Sequence, residues 1–144
     1  MTAATLIIDA SALVKLLIGE PDSARFQAHV GDGTRLHAPA HVLAETGEVI
    51  SRKMQAGHID RQQRAQIVRQ LEAELELIPL LNLLEPAIEI ALDVGASVYD
   101  CLYVAAAARL RCKLLTADKR LIARLAGTPH QALLIALDSY TAPK

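Results

Sequence analysis

Short apolar runs alternate with longer amphipathic stretches along the whole chain. Leu6-Ile7-Ile8 is continuously apolar and predicts a buried strand, followed by a short helix from Ser11 to Leu17. A second helix is expected after Pro21, then a short strand around Leu36. A helix from about His41 to Gln55 turns Val42, Leu43, Val49 and Ile50 to one side. Asp60 and Gln63 have capping-box spacing and open a helix whose apolar stripe is Ile67, Val68, Leu71 and Leu75.

The second half repeats the alternation. Leu77 to Leu80 reads as a short strand that Pro79 confines to an edge or an end. Pro86 stands where a first helical residue is expected, opening a helix to about Val94. Asp100 to Arg111 is an Ala-rich helix, Lys113 to Thr116 a strand, Lys119 to Leu125 a helix, and Leu133 to Leu137 a last strand. Strands alternating with helices predict an α/β fold: a three-layer α/β/α sandwich around a mainly parallel sheet.

Composition narrows the reading. The 144 residues, read as one domain over 1–144, are 52% hydrophobic, which excludes a disordered chain. Fifteen Lys and Arg against 16 Asp and Glu argue against a broadly basic nucleic-acid coat, so contact with nucleic acid needs a local basic patch. The apolar excess points to a partner or a homodimer. No apolar run approaches the roughly 18 residues of a membrane span, and the first eight residues lack a secretion signal, so a cytoplasmic protein is expected. Cys101 and Cys112 form no CxxC pattern and read as reduced thiols.

The candidate chemistry lies in the acids. Asp9 follows the first strand directly, Asp118 follows the strand at Lys113 to Thr116, and Asp100 opens the Ala-rich helix. Ligands of such sheets sit beyond the carboxyl ends of the strands. Each of these residues, taken alone, is also an ordinary helix N-cap. Glu45, read as a mid-helix residue bordering an apolar stripe, is harder to explain as a cap. Four acids with no matching basic set suggest a hard-cation site for Mg²⁺ or Mn²⁺, of the kind that cuts or transfers phosphates.

Four segments resemble the PIN-domain ribonucleases, and among them the VapC-like toxins of bacterial toxin–antitoxin pairs. They are Ile7-Ile8-Asp9-Ala10-Ser11-Ala12-Leu13-Val14-Lys15, Ala38-Pro39 through Glu45, Val98-Tyr99-Asp100-Cys101-Leu102-Tyr103-Val104-Ala105-Ala106-Ala107, and Leu115-Thr116-Ala117-Asp118-Lys119-Arg120-Leu121. The resemblance implies that Asp9, Glu45, Asp100 and Asp118 form the acidic catalytic and metal-binding quartet. Asp9 and Asp100 would be the direct ligands, and Glu45 and Asp118 would bind a second ion or hold water. Ser11 and Thr116 would orient these carboxylates. It further implies Mg²⁺- or Mn²⁺-dependent hydrolysis of RNA, leaving a 5′-phosphate and a 3′-hydroxyl, with a small antitoxin protein as partner. Cys101 stands where a small residue such as Ala is usual in the family.

Other residues fit this chemistry less well. His41 and Glu45 share a helix face, but with no second histidine on that helix, His41 reads as a packing residue. Lys119 and Arg120 follow Asp118 and are candidates for RNA-phosphate contacts. The four aromatics limit base stacking, leaving Tyr99 as the platform. Gly31-Asp32-Gly33 is a turn without a phosphate-binding fingerprint. Two rival readings remain: a non-catalytic PIN-like interaction module, and a receiver-like phospho-accepting domain. The latter wants adjacent acids after the first strand and a late lysine, whereas Ala10 follows Asp9 and Leu133 to Leu137 contains no lysine.

Overall fold

The computed structural model describes residues 4–19, 23–31 and 33–140. Pro21, after which a helix is expected, and Asp32, expected in a turn, lie outside the described residues. Five strands form one sheet: β1 (Thr5–Ile8), β2 (Arg35–Pro39), β3 (Leu75–Ile78), β4 (Lys113–Thr116) and β5 (Leu134–Ala136). Their spatial order is β3-β2-β1-β4-β5, and every pairing is parallel. The helices are α1 (Ala10–Leu17), α2 (Ser23–Val30), α3 (Val42–Gln55), α4 (Arg61–Glu74), α5 (Leu84–Val94), α6 (Val98–Leu110) and α7 (Lys119–Leu125).

Strand order and handedness together build the layers. From β1 the chain steps outward to β2 and β3, then crosses back to β4 and β5 on the other side of β1. Right-handed crossovers therefore put the first two connections on one face and the last two on the other. Correspondingly, α1 packs on α2 and α3, while α6 packs on α5 and on β1, β2 and β4. The core is aliphatic, with Ile7, Ile8, Leu13, Leu36, Leu114 and Leu115 among the side chains shut off from solvent. Helix α6 is buried without a break from Cys101 to Ala107, which explains why its sequence is apolar on all sides.

Several boundaries move for identifiable reasons. β3 begins at Leu75, so Leu75 leaves the α4 stripe and Pro79 follows the strand. Helix α5 starts two residues before Pro86; a proline in the first turn is tolerated because its missing N–H has no partner there anyway. Leu43, Val68 and Leu77, expected on buried faces, are exposed. The capping box at Asp60 and Gln63 forms in both directions, at 2.8 and 2.9 Å. Both cysteines are free thiols. Among the described residues no single helix is long and apolar enough to cross a membrane.

Candidate functional site

The strand order reverses between β1 and β4, and the crevice at such a switch point is where an open parallel sheet receives ligands. Asp9 leaves β1 at that point. Its backbone N–H still donates to the carbonyl of Leu115 on β4 (3.2 Å), and its extended backbone makes it the N-cap of α1. One carboxylate oxygen accepts from the Ala12 N–H (3.0 Å) and the Ser11 hydroxyl (2.6 Å), and the other from the Thr116 hydroxyl. Asp9 is only 5% exposed. Burial pushes its carboxyl above the ordinary value, the Ser11, Thr116 and Ala12 donors pull it back, and Asp118 pushes it up again.

Two hydroxyls join the neighbouring strand ends. Thr116 is fully buried, and while donating to Asp9 it accepts the Asp118 N–H at 3.0 Å. Ser11 Oγ accepts the Ala117 N–H at 3.0 Å and lies 3.4 Å from Thr116 Oγ1. Asp118 caps α7, with Oδ1 accepting the Arg120 and Leu121 N–H groups at 3.0 and 3.2 Å. Capping and a role in the crevice are compatible: the Asp118 cap uses Oδ1 alone, and Oδ2 of Asp9 accepts a single hydroxyl, so each carboxylate keeps acceptor capacity.

Asp100 and Glu45 arrive from helices, and both places differ from the expected ones. The N-cap of α6 is Ser97, which leaves Asp100 in the first turn, its N–H donating to Ser97 Oγ at 3.2 Å. Burial raises the Asp100 carboxyl; Ser97 and His41 pull it down, and Asp118 and Glu45 push it up. Glu45 lies in the first turn of α3, not mid-helix, where the positive end of the helix dipole favours a carboxylate. Its Oε1 accepts the Tyr103 hydroxyl at 2.5 Å and lies 3.5 Å from His41 Nε2. His41 is a packing residue: its ring lies 4.6 Å from that of Tyr103, and Nε2 is 2.9 Å from the Tyr99 carbonyl.

The four acids form a row of electrostatic neighbours, Asp9 to Asp118 to Asp100 to Glu45. Among the described residues, no three His, Cys, Asp or Glu side chains are close enough together to hold a metal ion as they stand. The fold thus gathers the quartet at one end of the sheet without drawing it into a ligating cluster.

Beside the row runs a cleft of about 360 Å³ between the Gly95–Ser97 loop and α7. Asp100 and Asp118 stand on its wall, together with Arg120 and Arg124. Lys119 is exposed and does not line it. Gly95 ends α5 in the left-handed region (φ 70°), and a Cβ there would stand 3.3 Å from Arg124 Nη1. Sequence reading missed Tyr103, whose phenol is pushed far up by burial and by Glu45 and so stays a protonated donor. Its spacing of three residues from Asp100 was the available signal. Tyr99, the expected stacking platform, is exposed.

Comparison with known proteins identifies the family. The model of the PIN domain matches residues 6–127. The ribonuclease VapC9 of Mycobacterium tuberculosis is 33% identical over 119 residues, 81% of this chain and 87% of that protein. The ribonuclease VapC3 of Pyrobaculum aerophilum is 28% identical over 119 residues, 81% of this chain and 91% of its own length. In fold, the crystal structure of PAE2754 from Pyrobaculum aerophilum is similar with a TM-score of 0.66 at 18% identity, covering 96% of this chain and 88% of that one. The VapBC2 structure from Rickettsia felis, bound to a DNA fragment from its promoter, is similar with a TM-score of 0.61 at 15% identity, covering 92% and 98%. The chain belongs to the PIN-domain family, in the branch that holds the VapC proteins.

Proposed function

We propose that this protein is an Mg²⁺- or Mn²⁺-dependent endoribonuclease and the toxin of a toxin–antitoxin pair, working in the cytoplasm. The observation that carries the reading is the row of four acids at the switch point, two of which, Asp9 and Asp100, have carboxyls raised by burial and by the neighbouring acids Asp118 and Glu45. The donor set fits a hard divalent cation: it is all carboxylate oxygen, and a bound cation would relieve the mutual repulsion. Asp9 and Asp100 would hold it, with Asp118 and Glu45 completing the shell after side-chain rotation. Such an ion supplies an acidified water and positive charge for the phosphate oxygens. The chain's own part is positional. Ser11 and Thr116 fix Asp9, the caps fix Asp118, and Arg120 and Arg124 offer guanidinium groups to a phosphate beside the acids, with Lys119 at the outer edge.

Purified protein with Mg²⁺ or Mn²⁺ is expected to cut RNA, and EDTA to stop it. Asp9→Asn and Asp100→Asn should each lower the rate by about 100-fold or more with the fold intact, because even the outer partners of metal ligands cost up to that much. Variants cutting at the wild-type rate would sink the assignment. Induced expression should arrest growth, and co-expression of the antitoxin should restore it. Growth unaffected by expression of a protein active on RNA would remove the toxin role and leave the nuclease.

The same reading includes a homodimer. Leu84, Ile88 and Leu92 repeat every four residues along α5, and Leu92 and nearby Leu81 are 80% and 82% exposed. An apolar helical stripe of this kind suits a second copy. Light scattering should give a dimer mass that Ile88→Asp reduces to a monomer; a monomeric wild type would reject this part.

A further inference from the structure

Tyr103 follows Asp100 by three residues on α6, so the two side chains share a helix face. The tyrosine is 2% exposed. Its hydroxyl donates to Glu45 Oε1 at 2.5 Å, and the backbone N–H of Ala10 is an electrostatic neighbour of the phenol oxygen. Ala10 is the first residue of α1 and directly follows Asp9, so its N–H is one that the helix itself cannot satisfy. A single phenol oxygen therefore bonds the segment that carries Glu45 and lies beside the one that carries Asp9, on a side chain rooted beside Asp100.

A buried tyrosine needs an acceptor, and a backbone carbonyl would serve that need. Here the acceptor is the one carboxylate of the row that reaches the site on a long side chain. The Glu45 side chain is 37% exposed, and apart from the phenol its polar neighbour is His41 Nε2 at 3.5 Å. That distance is too long for a firm hydrogen bond, and the ring nitrogen already lies 2.9 Å from the Tyr99 carbonyl. Without the phenol, Glu45 would sample several rotamers into solvent. We infer that Tyr103 is a positioning residue that aims the Glu45 carboxylate at Asp100, beside the Asp9–Ala10 turn. The inference rests on the reading of these acids as the site of RNA cleavage.

The test is a double-mutant cycle of Tyr103→Phe and Glu45→Ala, read in two ways. Tyr103→Phe should lower kcat for RNA about 10- to 100-fold with KM unchanged, as misplacement of a working group does. In the Glu45→Ala background it should lower kcat no further. Denaturant midpoints in EDTA, which require neither RNA nor metal, should likewise be non-additive. Additive effects in the denaturant cycle, or an equal loss of kcat with and without Glu45, would overturn the inference. So would a Tyr103→Phe protein whose defect lies in KM alone. If the wild type cuts no RNA, the functional reading falls and the denaturant cycle decides the contact: non-additivity supports it and additivity rejects it.

Discussion

Replacing Thr116 with valine removes one oxygen from a fully buried side chain and keeps its shape. That oxygen serves two groups, donating to the Asp9 carboxylate and accepting the Asp118 N–H at 3.0 Å. A hydrogen bond to a charged group contributes about 1.5–3 kcal/mol, and a backbone N–H left unpaired costs roughly 1 kcal/mol more where water reaches it in part. Thr116→Val should therefore destabilise the protein by about 3 kcal/mol, or about 9 °C in Tm at roughly 3 °C per kcal/mol for a chain of this size. Thr116→Ser keeps the hydroxyl and loses a methyl, which costs about 1 kcal/mol and about 3 °C. Thermal denaturation of both variants in EDTA separates the two effects, because hydrophobic loss alone would rank them the other way. A valine variant melting at or above the serine variant would refute the assignment of Thr116 as the hydroxyl that holds Asp9 and Asp118 together.

Acidity offers a second check. The folded protein holds the Asp9 and Asp100 protons more tightly than the unfolded chain, because burial penalises the charged form of each. Their contribution to stability is complete below about 3.8, the ordinary carboxylate value, and is lost as pH rises through the raised folded values. In EDTA the wild type should therefore gain stability on acidification from neutral pH relative to the Asp9→Asn/Asp100→Asn double variant, and Mg²⁺ should shrink that gain; parallel pH profiles would count against the buried charges. At the cleft, Arg120→Ala and Arg124→Ala should each raise KM for RNA, leave kcat unchanged and flatten the salt dependence by about 0.7 in slope per lost phosphate contact. Lys119→Ala should do less, since Lys119 does not line the cleft. A salt slope unaltered by the arginine changes would place the RNA elsewhere.

Much of the fold and site follows from short-range patterns. The strand Lys113–Thr116 and the helix Lys119–Leu125 have the same bounds in the structure as in the apolar pattern, because Asp118 marks the boundary between them as a cap. The capping box at Asp60 is equally local, a matter of three residues. The places where pattern reading failed are those where the partner is distant. Asp100 looked like a cap, yet Ser97 three residues earlier takes that role. Leu43, Val68 and Leu77 obey the periodicity but find no layer above them. Lys119 and Arg120 follow Asp118 directly in sequence, yet the cleft wall carries Arg120 and Arg124 and not Lys119, with Arg124 set against the turn at Gly95.

Tyr103 shows the division most plainly. Helix α6 is apolar on every side, so nothing in its periodicity singles out one buried aromatic. Its partner Glu45 lies 58 residues away, and the Thr116 to Asp9 bond spans 107. Alternating strands and helices, the caps and the order of the acids are all encoded within a few residues, because backbone hydrogen bonding and side-chain periodicity act at that range. Which acid meets which hydroxyl depends on β4 crossing back beside β1, a choice made by burying both faces of the sheet at once. The chain alone therefore specified the parts of the site and its end of the sheet. Only the assembled fold set Tyr103 against Glu45 and Thr116 between Asp9 and Asp118.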